Sequence, residues 1–276
     1  MGMMAMAETS LFALRTTRII ALANQKGGVG KTTTAVNLGT ALAAVDRSVV
    51  VVDLDPQGNA STGLGVSPRA RRISSYDVLT GGARAGAASM ATSVPNLSLI
   101  PASADLAGID LELYETEGRA LRLRDALRSE DGGIDADYVL IDCPPALSLL
   151  TVNAMAAADS VMVPLQCEFF ALEGLSQLLD TIEKVKSKLN AALTLQGIVL
   201  TMYDKRNNLS SQVAEDVRET LGDLVYDTVI PRNVRLSEAP SHAMPGLIYD
   251  HGCAGSQAYL RLAGELLRRE ADRVAA

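Results

Sequence analysis

The chain has too little cysteine for a disulfide framework: Cys143, Cys167 and Cys253 are odd in number, far apart and without metal-ligand spacing. They read as thiols of a cytoplasmic protein. Histidine is scarcer still, and His242 and His251 lie in a turn-rich stretch with no evident catalytic partner. No apolar run approaches the roughly eighteen residues of a membrane span, and the Met-rich first residues are too broken for a secretion signal. There is no internal repeat and no linker-like stretch. Nor is there a basic excess: the net charge of −7 argues against a globally basic nucleic-acid binder. A local basic patch remains compatible with it.

What remains is a chain of 276 residues, 48% hydrophobic. That suits one large core, expected as a single α/β domain over residues 18–276 behind a loose extension over 1–17. Apolar runs bounded by turn residues recur at Ile19–Ala23, Val49–Val52, Leu97–Ile100, Tyr138–Ile141, Ser160–Pro164, Gly197–Thr201 and Val225–Ile230. Helix-like segments such as Leu172–Leu189 and Leu209–Leu221 fall between most of them. Continuous apolar strands alternating with helices predict a doubly wound, mostly parallel sheet covered on both faces, with ligands at the carboxyl ends of its strands. The segment Pro68–Ser93, rich in Ala, Gly, Ser and Arg, reads as an irregular surface excursion.

The strongest local signal runs from Asn24 to Thr33, NQKGGVGKTT. An apolar run precedes it, and residues 33–44 have helical spacing. Strand, glycine loop and helix in that order form a phosphate cradle. Backbone N–H groups of Gly27, Gly28, Val29 and Gly30 turn toward phosphate oxygens, Lys31 reaches the outer phosphates, Thr32 offers a hydroxyl to a metal, and Thr33 opens the helix whose N-terminus favours anions. The strict pattern begins with a glycine five positions before the Gly30-Lys31 pair, where this chain has Gln25. Beside it stands a second lysine, Lys26.

Two acidic constellations complete the chemistry. In DLDPQGN, residues 53–59, alternation along an extended chain turns Asp53 and Asp55 to one side, at the same end of the sheet as the loop. One can orient or deprotonate water facing a γ-phosphate while its neighbour acts through a metal's water shell. Asp142 closes the apolar run Tyr138–Ile141 and precedes Cys143-Pro144-Pro145, an arrangement in which the carboxylate holds Mg²⁺ directly or through water. The two prolines stiffen the following loop.

Together with the run IPRNVRLSEAPS at 230–241, these motifs resemble the ParA/Soj partition ATPases, a branch of the P-loop NTPases, from about Arg18 to near the C-terminus. The resemblance implies an ATP-sandwich homodimer in which Lys26 reaches phosphates held mainly by the other subunit. Lys31 would bind the β- and γ-phosphates within its own subunit, Thr32 would ligate Mg²⁺, Asp55 would position the attacking water, and Asp142 would support the metal. A side chain at Gly27 would block the dimer. Pro231 and Asn233 fall where the family contacts adenine. Arg206 and Arg235, with Arg218 as a weaker match, fall where its dimer binds double-stranded DNA without sequence preference. A ParB-type centromere-binding protein would stimulate hydrolysis and release the dimer from the nucleoid. Two departures stand out: Ala243 replaces the glycine usual in the Ser-His-Gly turn, and His251-Gly252-Cys253 lacks a basic residue often found there.

Three other readings compete. A ParA-like ATPase that positions another cargo shares every motif above. A MinD-like membrane-cycling ATPase needs a C-terminal amphipathic anchor, and Tyr259–Val274 carries leucines with four arginines, offset by Glu265, Glu270 and Asp272. Packing of that helix on the sheet is the expected alternative. An amide-forming ligase or an iron–sulfur reductase can use the same loop, although neither Cys143 nor Cys167 has cluster-ligand context. If the two lysines have separate jobs, Lys26→Ala keeps most nucleotide affinity of the monomer and loses dimer-linked hydrolysis, whereas Lys31→Ala loses both. Equal loss of monomer binding, measured by nucleotide titration, would make Lys26 an ordinary loop residue.

Overall fold

The computed structural model describes residues 17–168 and 171–275; the N-terminal extension expected over 1–17 lies almost entirely outside them. Seven strands form one sheet: β1 Arg18–Leu22, β2 Val49–Asp53, β3 Met90–Ala91, β4 Leu97–Ile100, β5 Tyr138–Asp142, β6 Ser160–Gln166 and β7 Thr194–Thr201. Their order is β3-β4-β2-β5-β1-β6-β7. Every pairing is parallel except β3 with β4.

Strand residues divide between two cores by simple alternation, as period-two geometry requires. Ile19, Ala21, Val50, Val52, Val139 and Ile141 face one side, where helices such as Leu149–Ala157, Ala171–Lys188 and Asn208–Leu221 cover them. Ile20, Leu22, Val49, Val51, Tyr138 and Leu140 face the other, against helices Lys31–Ala43 and Ala254–Ala275. With both faces covered, the strands can be apolar throughout, which explains why their sequence shows runs rather than alternation.

Two segments differ from their sequence expectations. Val225–Ile230 is not a strand: it meets β7 through an isolated Ile198–Val225 bridge, with Tyr226 N–H donating to Ile198 O (2.9 Å) and Ile230 N–H to Leu200 O (2.8 Å). Two of the donors between are taken by a side chain. Asp227 N–H and Thr228 N–H each donate to a carboxylate oxygen of Glu265 at 2.8 Å, and Pro231 has no N–H to offer. The segment Pro68–Ser93 is also more ordered than its composition suggested. It contains the helix Ser75–Thr80, held by reciprocal capping between Ser74 and Asp77, and the edge strand β3. Val78, Leu79, Ala85 and Ala88 enter the core.

The C-terminal helix Ala254–Ala275 packs inward. Ala258, Tyr259, Leu262, Ala263 and Leu266 are buried against Lys31–Ala43 and the sheet. The apolar face that a membrane anchor would need is therefore occupied, and no described helix is long and apolar enough to cross a membrane. Leu262 is fully buried, so Leu262→Ala is expected to cost about 2–5 kcal/mol, lowering Tm by roughly 5–15 °C at this chain length. A thermal unfolding curve unchanged within about 1 °C would contradict this packing.

Candidate functional site

Three neighbouring strands, β2, β5 and β1, end in register, with Asp53 opposite Asp142 and Asp142 opposite Leu22. The loop from Asn24 to Gly30 leaves the middle of the sheet at this level and enters the helix at Lys31. Asn24 anchors it: its side-chain amide donates to Pro164 O (2.8 Å) and its Oδ1 accepts from Lys26 N–H (3.0 Å). Thr201 at the end of β7 donates its hydroxyl to Val29 O (2.8 Å). Gly28 (φ +74°) and Gly30 (φ +90°) occupy the left-handed region, which explains those two glycines. Gly27 has no such constraint, and a Cβ there would meet only Pro145 Cβ at 3.8 Å. Nothing within the chain demands that Gly27 lack a side chain.

The two lysines separate. Lys31 is buried and donates to Lys26 O (3.0 Å). Burial lowers its pKa, opposed by the negative charge of Asp142 and Asp55. Lys26 is exposed, and its ammonium pairs with Glu168 beyond β6. Between the loop and the turn of residues 53–59 is a cleft of about 360 Å³ lined by Gly27, Gly28, Gly30, Lys31, Thr32, Thr33, Asp55, Gln57, Asn59, Pro145 and Met202.

The carboxylates have unequal surroundings. Asp53 is fully buried and holds its turn together: Oδ1 accepts from Asp55 N–H (3.1 Å), and Oδ2 accepts from Ser61 N–H (2.8 Å) and Ser61 Oγ (2.7 Å). Burial, partly offset by those hydrogen bonds, pushes its pKa up to about 6. Arg71 braces the same turn, donating to Gly58 O (3.1 Å), Thr62 Oγ1 (2.8 Å) and Val66 O. Asp53 is therefore a turn anchor, whereas Asp55 lines the cleft, with Oδ1 accepting from Gln57 N–H (3.0 Å).

Asp142 is also fully buried, but neither carboxylate oxygen has a hydrogen-bond partner. Burial raises its pKa well above the usual carboxylate range. Asp53 and Asp55 add to the rise; Thr32, short of full hydrogen-bond geometry, and Lys31 oppose it. An orphaned buried carboxylate beside a hydroxyl suits a hydrated divalent cation. No cluster of three or more His, Cys, Asp or Glu side chains forms a metal cage among the described residues. Mg²⁺ fits that chemistry, since it usually takes one or two protein oxygens and completes its shell with phosphates and water. Thr32, Asp55 and Asp142 are the available donors.

Beyond Gly30 and Thr33 a second cavity of about 240 Å³ is walled by Thr201, Met202, Ile230, Pro231, Arg232, Asn233 and Tyr259, among others. Pro231 and Asn233 thus stand beside the phosphate loop. Asn233 caps the short helix Val234–Glu238, its Oδ1 accepting from Leu236 N–H (3.2 Å). The three arginines expected at DNA are all engaged within the chain. Arg206 pairs with Asp204 (2.8 Å), Arg235 with Glu238 (3.0 Å) and Asp250 (3.4 Å), and Arg218 donates to Tyr226 O (3.2 Å) and Asp227 O (3.4 Å). Arg206 and Arg235 remain exposed; Arg218 serves mainly to tie its helix to the segment after β7. Ala243 adopts φ +55°, a left-handed conformation that costs a residue with a Cβ about 1–2 kcal/mol.

Sequence reasoning did not find Glu168, Met202, Ser61 or Arg71. Met202 directly follows the predicted strand Gly197–Thr201, which is the one signal that marked it; Glu168, four residues past the predicted strand Ser160–Pro164, carried none. Ser61 and Arg71 carried none.

A protein-family model described as an AAA domain (AAA_31) matches residues 17–195. The chain is 62% identical to the "Chromosome partitioning protein ParA" of Caulobacter vibrioides, covering 94% of this chain and 97% of that protein. It is 52% identical to the "Sporulation initiation inhibitor protein Soj" of Bacillus subtilis, covering 90% and 98%. Among solved structures it resembles a cobyrinic acid a,c-diamide synthase from Mycobacterium smegmatis with bound ADP and magnesium. That pair has a TM-score of 0.79 and 40% identity, covering 92% of this chain and 95% of that one.

The carboxylate pair sets a pH dependence. A carboxyl whose pKa is raised by folding contributes stability that is greatest below its unfolded value, near 4, and is lost as pH climbs through the folded value, about 6 for Asp53 and well above the usual carboxylate range for Asp142. Asp142→Asn removes the unpaired charge. It is therefore expected to raise the Tm of the nucleotide-free protein at pH 8, with a smaller gain at pH 5, where the acid is already protonated. The same variant is expected to lose most of the stabilisation from Mg²⁺-nucleotide, about 2.7 kcal/mol at a hundredfold excess over Kd. Differential scanning fluorimetry with and without Mg²⁺-ADP reads both, and an unchanged Tm at pH 8 would contradict the burial argument.

Proposed function

Because the chain belongs to the ParA/Soj family of chromosome-partitioning ATPases, we propose that it hydrolyses ATP with Mg²⁺ as a nucleotide-sandwich homodimer that holds double-stranded DNA. A ParB-type centromere-binding protein triggers hydrolysis and release, so that the protein cycles between cytoplasm and nucleoid. The observation that carries this reading is the contrast between the lysines. Lys31 is turned into the cleft of its own chain, whereas Lys26 is exposed on the rim.

In this reading the triphosphate lies along the backbone N–H groups of residues 27–33, with Lys31 on the β- and γ-oxygens. Adenine occupies the cavity beside Pro231 and Asn233, whose amide nitrogen is left to the base because its oxygen caps a helix. Asp55 orients the water that attacks the γ-phosphorus as the β–γ bridging bond breaks. Thr32, Asp55 and Asp142 would hold Mg²⁺, which when bound would supply positive charge to the phosphate oxygens. Lys26 leaves Glu168 and reaches the facing subunit's nucleotide, where a cation stabilises the transition-state charge much as an arginine finger does. The exposed Gly27, sterically free within its own chain, is explained by close approach of that subunit. Residues 18–276 act as one ATPase domain.

The synthase likeness gives one rival a specific basis, an ATP-dependent amide-forming ligase; the partition reading has the higher identity behind it. Steady-state ATPase rates with duplex DNA alone, a candidate ParB alone and both together separate the two. The combination is expected to exceed either alone. A rate that ignores the combination and rises only with a small carboxylic acid and an amide nitrogen donor would assign the chain to the ligase.

A further inference from the structure

A cavity larger than either of those at the nucleotide lies elsewhere on the chain. It is an open groove of about 1070 Å³ between the segment after β7 and the outer face of the C-terminal helix. Five cationic side chains line it, Lys205, Arg206, Arg232, Arg261 and Arg268, against three acids, Asp204, Asp227 and Glu265. Two of the acids are already committed. Asp204 binds Arg206 through two hydrogen bonds of 2.8 and 3.0 Å, and Glu265 accepts from two backbone N–H groups and pairs with Arg269 (2.9 Å). By contrast, the side chains of Lys205, Arg261 and Arg268 are exposed and make no hydrogen bond or ion pair with any described residue.

Arg261 and Arg268 are seven positions apart, two helical turns, so they stand on one face about 10 Å apart along the axis. Gly264 lies between them and also lines the groove. The opposite face of the helix is committed to the core through Leu262 and Leu266. This face can therefore offer guanidinium groups to an anionic surface but has little apolar surface to insert into a lipid bilayer.

We infer that this groove, with Arg261 and Arg268 on one wall and Lys205 and Arg232 on the other, is a seat for the phosphate backbone of double-stranded DNA. The inference rests on the DNA reading above and deepens it. The residues matched by family resemblance are held within the chain by exposed ion pairs or backbone carbonyls, whereas Lys205, Arg261 and Arg268 need break no such contact to bind phosphate. Arg232 also gives the seat a link to the nucleotide, because Pro231 and Arg232 line both this groove and the cavity assigned to adenine. A base filling that cavity bears on the same backbone that carries one wall of the groove.

The test is duplex binding by the full chain with Mg²⁺ and a non-hydrolysable ATP analogue, followed by fluorescence anisotropy across a salt series. Arg261→Ala with Arg268→Ala is expected to weaken binding roughly tenfold or more. The slope of log K against log salt becomes shallower by about 0.9 for each phosphate no longer neutralised. Lys184→Ala with Lys188→Ala removes the same charge from exposed positions outside the groove and is expected to keep the wild-type slope. Circular dichroism and the Mg²⁺-ADP thermal shift verify the fold of both variants. Wild-type binding with an unchanged slope in the arginine variant overturns the groove, as does equal loss in the lysine control. Flotation with phosphatidylglycerol vesicles that the arginine variant alone loses also overturns it, assigning the face to a membrane. If the wild type fails to bind duplex at any salt, the underlying DNA reading itself fails.

Discussion

Two fully buried carboxylates, Asp53 and Asp142, stand opposite one another at the ends of adjacent parallel strands, and the site is built around the electrostatic tension between them. Burying one unpaired carboxylate is costly, and a like charge beside it adds to the cost. The chain relieves the two ends differently. Asp53 is wrapped by Ser61 and the backbone of its own turn, and Arg71 braces that turn from outside. Asp142 is left bare, with Lys31 as its main counter-charge. The resulting negative pocket is stable only because three strands in register and two covered faces hold it, and it favours any cation brought to it.

This arrangement explains which parts were legible in the sequence. The phosphate loop was readable because its requirements are contiguous: a strand, two left-handed glycines, a lysine and a helix start within a dozen positions. Asp142 was readable as the polar end of an apolar run. Asp53 and Asp55 looked equivalent because alternation gives only the side to which a residue points, whereas their roles depend on Ser61 and on Arg71 from a segment that composition alone marked as irregular. The same limit governs Val225–Ile230. Its residues suit a strand, but Glu265, distant in sequence, takes the donors of Asp227 and Thr228 that a ladder would need. Pattern reads local preference; competition for a hydrogen bond is settled in three dimensions.

Glu265 has a wider role through that competition. It fixes the segment that delivers Pro231 and Asn233 to the nucleotide side and Arg232 to both cavities. Arg269, paired with Glu265, lies 4.2 Å over the Tyr226 ring and donates to Asp223 O (2.7 Å) and Val225 O (2.9 Å). One helix thus positions the wall between two sites while presenting Arg261 and Arg268 on its exposed face. Pro231 and Arg232 in that wall line both cavities.

The different burial of the two lysines gives them different freedom to exchange partners. Lys31 is enclosed among carboxylates, and removing it would leave Asp142 without its main counter-charge; such a group can serve one nucleotide in one place but cannot be exchanged. Lys26 holds Glu168 in an exposed pair, and pairs of that kind are worth about 1 kcal/mol or less because water competes for both ends. A contact so weak can hold a side chain in position in the monomer and still yield to a phosphate group offering more charge. The exposed pair therefore leaves Lys26 able to exchange Glu168 for another anion, which a tighter or more deeply buried pair at the same place would prevent.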